Sequence, residues 1–430
     1  MAANTSKHLR NMVMYSVYVR NYSAEGTFRA VEKDLGRIRG LGVDIIWFLP
    51  IHPIGEVKRK GPLGSPYAIK DYREVNPELG TLEDFKSLVA AIHAHGMKCM
   101  IDVVYNHTAP DSWLAENHPE WFYKTAAGNF GNRIGDWSDI IDLDFSQPDL
   151  WDYLLDSLKL WAGIVDGFRC DVAPLVPLAF WNRARKETAA VNPDLIWLAE
   201  SVEPGFTLAN RTRGMTSLSD SELYQAFDIC YDYDIHNDFL DYLQGRNTLE
   251  NYINQVNRQE HIYPDNYVKL RFLENHDRQR AKFIIPDAAS LRNWTAFLFF
   301  QKGMTMLYAG QETANVFRPS LFEKHPVAWD TGADLSDLFA SLAKLKKNPL
   351  FADSIYRALA QNHEIVTAYH TGREKKLAGI FSMAGKASVV RVDLADGIYL
   401  NHVDGSEVLV EFGLVSCQGE PMVVEGRAND

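Results

Sequence analysis

The sequence has few cysteines and no pattern that would pair them or make them metal ligands. The four are Cys99, Cys170, Cys230 and Cys417, and no two of them form a CxxC pair. No cysteine–histidine cluster has the spacing of a zinc site. The scattered positions predict buried free thiols in a reducing compartment.

Long apolar runs are also lacking. No stretch approaches the roughly 20 apolar residues that a membrane-spanning helix needs. The N-terminal residues read MAANTSKHLRNMVMYS and contain neither the apolar core nor the cleavage site of a secretion signal. We therefore expect a soluble, cytoplasmic protein with no membrane partner.

Basic residues are fewer than acidic residues. The 430 residues include 44 Lys and Arg against 56 Asp and Glu, which gives a formal net charge of −12. Nucleic acids and anionic membranes are bound by basic faces, so this balance disfavours both as partners. Neutral ligands such as sugars remain compatible with it.

What the sequence does contain is a regular alternation of apolar, strand-like runs and amphipathic helices. Residues 42–50, GVDIIWFLP, are typical of a strand covered on both faces. A helix is predicted over 28–39 and a long helical region over about 235–256, among others. Strands are predicted to begin near Met14, Val43, Met97, Val165, Leu195, Ala226, Val268 and Met304. Eight strand–helix units predict a closed (β/α)8 TIM barrel, an α/β fold.

The alternation breaks twice. Residues 107–144 have no clear period and are rich in aromatics, which is typical of a functional insertion after the third strand. From residue 351 onwards, short alternating segments separated by Gly and Asp turns predict a sandwich-like antiparallel β-domain. The predicted organisation is a barrel over 1–106 and 145–350, an insertion over 107–144 and a C-terminal domain over 351–430.

Charged and polar residues follow four of the predicted strands, at the barrel face where functional groups lie. The third strand ends in 102–107, DVVYNH, and the seventh leads into 274–277, ENHD. The fourth ends in Arg169 and Asp171, which share one strand face, and the fifth ends in Glu200. Arg169 and Asp171 alone could be a structural ion pair. The convergence of four strand ends favours a site.

Crowded carboxylates cannot all ionise freely, so one of them keeps a proton near neutral pH. An acid beside a carboxylate nucleophile is what retaining glycoside hydrolysis requires. A metal site is the second interpretation, although the histidines lack HxH or HExxH spacing.

At these residues the sequence resembles the α-amylase family of glycoside hydrolases, family thirteen. Six stretches carry the resemblance in the family's order: 64–72 (GSPYAIKDY), 102–107 (DVVYNH), 167–171 (GFRCD), 198–200 (LAE), 272–277 (FLENHD) and 303–312 (GMTMLYAGQE). It covers residues 14–349. It implies that the insertion is the family's B domain, here short, and that the β-domain is its usual appendage.

The resemblance implies catalytic roles for three carboxylates. Asp171 would be the nucleophile and Glu200 the acid/base, while Asp277 would stabilise the oxocarbenium-like sugar. Arg169 would keep Asp171 ionised and aimed.

The resemblance also implies residues that bind the substrate. His107 and His276 would bind sugar hydroxyls and Tyr67 would form a stacking platform, with Asp102 supporting the site from behind. Asn106 matches a calcium ligand of the family, but it also matches calcium-free members. No cofactor is expected to be required, and calcium is possible.

Two features bear on the substrate. Many amylases follow the nucleophile with a Lys–His pair that bridges to calcium, whereas residues 172–175 here read VAPL. The insertion carries the aromatics Trp113, Trp121, Phe122, Tyr123, Phe130 and Trp137. We expect Trp121 and Phe122 to be core, while Trp137 could be either core or part of a sugar subsite.

The expected activity is retaining hydrolysis of α-1,4-glucosidic bonds in maltooligosaccharides. One alternative is an α-glucan transglycosylase, or an α-glucosidase acting on α-1,6 links or sucrose, since loop shape decides the acceptor. A more remote alternative is a non-catalytic carbohydrate-binding barrel. Oligomeric state, chain-length preference and exo or endo action stay open.

Overall fold

A closed barrel of eight parallel strands forms the centre of the molecule. The computed structural model describes residues 4–135, 137–362 and 364–428. Its first ten strands are β1 (Val13–Val17), β2 (Ile45–Phe48), β3 (Lys98–Val103), β4 (His107–Thr108), β5 (Ile141–Asp142), β6 (Gly167–Cys170), β7 (Ile196–Ala199), β8 (Ile229–Tyr231), β9 (Val268–Arg271) and β10 (Met304–Tyr308). The barrel order is β1-β10-β9-β8-β7-β6-β3-β2, and β4 pairs with β5 outside it. The predicted TIM barrel with all eight strands is confirmed.

Alternate residues of each barrel strand point inwards and form a core of their own. This interior cluster includes Met14, Ile45, Trp47, Met100, Ile196, Leu198, Ile229, Val268, Leu270, Met304 and Met306. Because strand side chains alternate, Asp102 lies on the same side of β3 as Met100. It pairs in register with Arg169 of β6, so the apolar interior gives way to charge where these strands end.

Helices surround the barrel. They are α1 (Val19–Tyr22), α2 (Phe28–Glu32), α3 (Leu35–Gly40), α4 (Leu82–Ala94), α5 (Trp113–Asn117), α6 (Pro148–Ala162), α7 (Leu178–Thr188), α8 (Pro204–Thr212), α9 (Asp220–Leu223), α10 (Tyr233–Leu243), α11 (Leu249–Ile262), α12 (Ala281–Ile284), α13 (Ala288–Phe300) and α14 (Ser336–Lys346). None of the helices within the described ranges is long and apolar enough to cross a membrane.

The predicted helix over 28–39 and the predicted helical region over 235–256 are each a pair of helices. The predicted helix over 28–39 is interrupted before Leu35, where α3 begins. The region over 235–256 is broken at Gly245, whose φ of +70° disfavours any other residue type. The sequence pattern also gave no sign of α8 and α9, which are short and lie beside the fifth strand end.

Over residues 351–362 and 364–428, the C-terminal domain contains eight strands in two antiparallel sheets. They are β11 (Ile355–Gln361), β12 (Ile365–Thr371), β13 (Lys375–Ser382), β14 (Ala387–Arg391), β15 (Gly397–Leu400), β16 (Glu407–Glu411), β17 (Leu414–Gln418) and β18 (Met422–Arg427). The sheet orders are β11-β12-β13-β18 and β14-β17-β16-β15, with one apolar core shared by strands of both. The predicted antiparallel domain is confirmed, although β11 and β17 were not expected. The exact domain boundaries stay predictions.

Candidate active site

A fully buried guanidinium occupies the centre of the strand-end cluster. Arg169 Nη1 donates to Asp102 Oδ1 and to Asp171 Oδ1, both over 2.8 Å. Its Nη2 lies 2.8 Å from Glu200 Oε1, at an ion-pair distance without hydrogen-bond geometry. Three carboxylates from three neighbouring strands therefore face one positive charge.

Aromatic rings enclose this guanidinium. The Arg169 Cζ atom lies 5.1 Å from the ring centre of Trp47, 5.6 Å from that of Tyr67 and 5.5 Å from that of Tyr231. Rings at these distances favour a cation over their faces and keep water away from it. Arg169 is thereby held in one position, which fixes the carboxylates bound to it.

The residue after Asp171 links it to Glu200 through the backbone. Val172 has a φ of +35°, a left-handed conformation that is costly for a β-branched residue. In this conformation its N–H donates to Glu200 Oε2 over 2.8 Å. The geometry therefore ties the Glu200 carboxylate to the peptide that follows Asp171.

Burial dominates the electrostatics of the cluster. It raises the pKa of Asp102, Asp171 and Glu200, and Arg169 opposes the rise in each case. One guanidinium cannot compensate three buried carboxylates, so the cluster retains a proton near neutral pH. Glu200 is the favoured carrier, because Asp102 and Asp171 both accept hydrogen bonds from Arg169 and Glu200 does not.

Tyr67 and His276 stack beside the cluster. Their ring centres are 5.6 Å apart with an interplanar angle of 14°, and Tyr67 Oη lies 2.7 Å from His276 Nε2. The Tyr67 hydroxyl also donates to Asp102 Oδ2 over 3.1 Å. His276 Nε2 is 3.2 Å from Asp277 Oδ2, and the Asp277 side chain is 43% exposed. Asp277 is thus the open carboxylate of the group.

His107 reaches the site from β4. Burial lowers the pKa of His107 to about 4, so its imidazole is neutral at neutral pH. Its Nδ1 lies 3.1 Å from Asn106 Nδ2, which donates to it. A neutral imidazole that accepts at Nδ1 carries its proton on Nε2, so His107 can donate a hydrogen bond. Burial likewise lowers the pKa of His276 to about 4.

A cavity of about 310 Å³ opens over these side chains. Its lining includes the predicted site residues Tyr67, His107, Asp171, Glu200 and Asp277. Asp102, Arg169 and His276 lie behind that wall and bond to it. The structure therefore brings together eight of the nine predicted site residues.

Sequence reasoning missed part of the cavity wall. The additional residues are Lys60, Ser65, Asp139, Ile140, Val172 and Phe322, and Trp137 also lines the cavity. Lys60 Nζ lies 3.0 Å from Asp139 Oδ1, which joins the loop after β2 to the insertion. Loop residues of this kind carry no periodic signal. Trp121 and Phe122 are buried, as expected of core residues.

The ninth predicted residue, Asn106, lines a different cavity of about 360 Å³. Arg133, Asp142 and Asp144 of the insertion line it too, together with residues 214–216 after α8. Among the described residues there is no group of three or more His, Cys, Asp or Glu side chains that could hold a metal ion. The calcium role of Asn106 therefore stays a prediction.

Comparison with protein families gives two matches that together cover most of the chain. The model of the alpha amylase catalytic domain matches residues 16–137 and 110–350. The model of the bacterial alpha amylase C-terminal domain matches residues 357–424. The second match coincides with the two-sheet domain.

Two solved structures are similar over nearly the whole chain. An alpha-amylase from Lactobacillus plantarum is 48% identical, with 98% of this chain and 100% of that chain covered and a TM-score of 0.95. A noncanonic maltogenic alpha-amylase from Thermotoga neapolitana is 32% identical, with 98% and 99% covered and a TM-score of 0.87.

A curated relative of a different activity matches over a shorter stretch. The alpha-1,4-glucan:maltose-1-phosphate maltosyltransferase of Cereibacter sphaeroides is 35% identical over 212 residues, or 44% of this chain. The matching stretch spans only 36% of that protein's length.

Proposed function

The chain belongs to the alpha-amylase family, whose members act on α-glucans, and we propose that it is a retaining hydrolase of α-1,4-glucosidic bonds in maltooligosaccharides. The observation that carries the proposal is the position of Asp171 and Glu200. Both line the same cavity, and the Val172 N–H ties one to the other. One is hydrogen-bonded to Arg169 and the other is not, which divides the two roles between them.

In the first step, an Asp171 oxygen attacks the anomeric carbon while the bond to the leaving glycosidic oxygen breaks. Glu200 gives its proton to that oxygen, so the leaving chain departs as an alcohol and a glycosyl ester forms on Asp171. In the second step, Glu200 takes a proton from water and the resulting hydroxide attacks the same carbon. Asp171 is released as a carboxylate, Glu200 regains its proton, and the anomeric configuration is retained.

The other side chains prepare this chemistry. Arg169 favours the ionised form of Asp171 through its hydrogen bond. Asp277, the open carboxylate, stabilises the positive charge that develops on the sugar ring. The His107 Nε2–H donates to a sugar hydroxyl, and Tyr67 offers its ring as a platform. Asp102 accepts from both Arg169 and Tyr67 and so holds the two in place.

Product analysis tests the proposal directly. We expect cleavage of maltohexaose and soluble starch to shorter maltooligosaccharides, with little action on isomaltose or sucrose. Proton NMR of fresh product should show the α-anomer first, as double displacement requires. An initial β-anomer contradicts the covalent mechanism, and cleavage of none of these substrates contradicts the hydrolase.

A second candidate function is α-glucan transfer, which the maltosyltransferase relatives favour. The first step is then the same, and a sugar hydroxyl replaces water in the second step. Incubation of maltohexaose at high concentration separates the two. Products longer than the substrate support transfer, whereas reducing ends that rise in step with substrate loss support hydrolysis.

A further inference from the structure

An arginine of the insertion pairs with a buried carboxylate at the junction with the barrel. The Asp142 side chain is 3% exposed, and Arg133 Nη1 lies 3.6 Å from its Oδ2. The Arg133 backbone N–H donates to the same oxygen over 2.7 Å. The Arg133 guanidinium also stacks on Tyr123, with its Cζ atom 4.4 Å from the ring centre. Charge, backbone and ring contacts thus fix this residue.

Asp142 is also the strand partner of His107, which lines the candidate active-site cavity. Asp142 pairs in register with His107 in the β4–β5 ribbon, and its N–H donates to Gly131 O over 3.0 Å. Next to Arg133, Asn132 Nδ2 donates to Trp137 O over 2.6 Å. Trp137 packs on His107 at 5.6 Å between ring centres. The loop that Arg133 anchors therefore shapes the cavity wall around His107.

With Arg133 in place, the residues at this junction do not fit a calcium ion. Calcium takes about six to eight oxygen ligands, and usually several carboxylates. Here the Arg133 guanidinium already occupies the cation position next to Asp142, and it would repel a second cation there. Among the described residues, Asp142 Oδ1 is buried without a hydrogen-bond partner, so the carboxylate depends on nearby positive charge.

We propose that Arg133 supplies the positive charge at this junction and stands in place of a bound metal ion, as the residue that positions the insertion beside His107. The inference deepens the proposed site, but it does not depend on hydrolysis. The test measures thermal stability and not activity. The role of Arg133 can therefore be wrong while the proposed hydrolase activity is right, or right while that activity is wrong.

The test compares thermal midpoints in excess EDTA and in millimolar calcium for the full chain. We expect the same midpoint for the unmodified protein in both. Arg133→Met should melt about 2–4 °C lower in EDTA, because the buried Asp142 carboxylate loses the guanidinium and keeps the backbone N–H of residue 133. Calcium should recover most of that loss, since a vacated cation position next to Asp142, Asp144 and Asn106 can then accept one.

Two further variants sharpen the test. Arg183→Met removes an exposed arginine that lies 2.5 Å from Asp152, and it should neither lower the midpoint by more than about a degree nor respond to calcium. Arg133→Lys keeps the charge, so it should remain insensitive to calcium. If Arg133→Met does not fold, the calcium response of Arg133→Lys decides.

Three results would overturn the proposal. The first is a calcium-dependent rise in the midpoint of the unmodified protein, which means that a metal belongs there. The second is an Arg133→Met variant that behaves like Arg183→Met, or one whose loss calcium does not recover. The third is a calcium response of Arg133→Lys.

Discussion

Two clusters of buried charge lie on opposite sides of the same barrel wall, and they differ in how their charges are balanced. The inner cluster sets Asp102, Asp171 and Glu200 against the single cation Arg169. The outer cluster, on β9, sets three carboxylates against two cations, Lys269 and Arg271.

The outer cluster is saturated with hydrogen bonds. Lys269 Nζ donates to Asp220, to Asp234 over 2.8 Å and to Tyr231 O over 3.1 Å, which uses its three protons. Burial alone would raise the pKa of Asp234, but Lys269 and neighbouring hydrogen bonds outweigh it and the pKa falls. Burial still raises the pKa of Asp220 and Asp232 in the outer cluster, as it raises the pKa of all three carboxyls in the inner cluster.

The comparison shows that buried charge by itself does not mark a catalytic centre. A buried carboxyl that accepts no hydrogen bond from a cation, such as Glu200, can carry a proton to exchange with a substrate. In the outer cluster each carboxylate accepts a hydrogen bond from a cation, and we therefore assign that network a structural role. The following experiments test that distinction, beginning with the largest expected effect.

Asp171→Asn should lower kcat by roughly 10⁴-fold or more, since the amide cannot form the glycosyl ester. Circular dichroism should show an unchanged fold, because the side chain faces the cavity. Asp234→Asn in the outer cluster is the comparison variant, and it should keep its kcat per folded molecule. Activity above a few per cent in Asp171→Asn would show that another group is the nucleophile.

Lys269→Met should cost about 3–5 kcal/mol of unfolding free energy, because it leaves buried carboxylates without their cation. The turnover of the folded fraction should not change. Urea unfolding followed by fluorescence measures the loss. Lys159→Met, which breaks a half-exposed pair with Glu187, is the control and should cost under about 1 kcal/mol.

Glu200→Gln should raise the thermal midpoint, and by more as the pH rises. The folded protein raises the pKa of Glu200 through burial, so the fold favours its protonated form. That contribution is present at low pH and is lost as the pH rises through the folded pKa, whereas Gln stays neutral throughout. Midpoints between pH 5 and 9 measure the gap. A gap that stays constant with pH would contradict the raised pKa of Glu200.

Lys60→Ala should change chain-length preference by about two- to fivefold in relative kcat/KM, the smallest effect of the series. It removes the 3.0 Å pair with Asp139 that joins two loops over the cavity, so longer substrates should gain. The ratio of kcat/KM for maltohexaose and maltotriose measures this. Lys70→Ala, which loses a 3.7 Å pair with Asp111 away from the cavity, should leave the ratio unchanged.

The barrel and its strand ends were predictable because two strong periodic signals specify them. Continuous apolar runs mark strands covered on both faces, and barrel closure then brings all strand ends to one side. Arg169 and Asp171 could be placed together from their spacing alone. The hydrogen bond from Arg169 to Asp102 and its ion pair with Glu200 required the register of three strands.

The rest depended on contacts that have no local pattern. Lys60 and Asp139 lie far apart in irregular segments, and their pairing follows from how the insertion docks. Lys269 and Arg271 are two residues apart on β9, and Arg169 and Asp171 are two residues apart at the end of β6. The spacing therefore could not distinguish the two clusters. The structure separates them: three carboxylates face Arg169, whereas two face Lys269 and one faces Arg271.

The left-handed Val172 has a consequence for how this sequence can vary. A backbone held at a φ of +35° tolerates Gly, Asn or Asp more readily than Val, and Pro is excluded because its φ is fixed and it has no N–H for Glu200. Substitutions that are tolerated at position 172 should therefore favour Gly, Asn and Asp. A library randomised at codon 172 and selected for growth on maltodextrin would record that restriction directly.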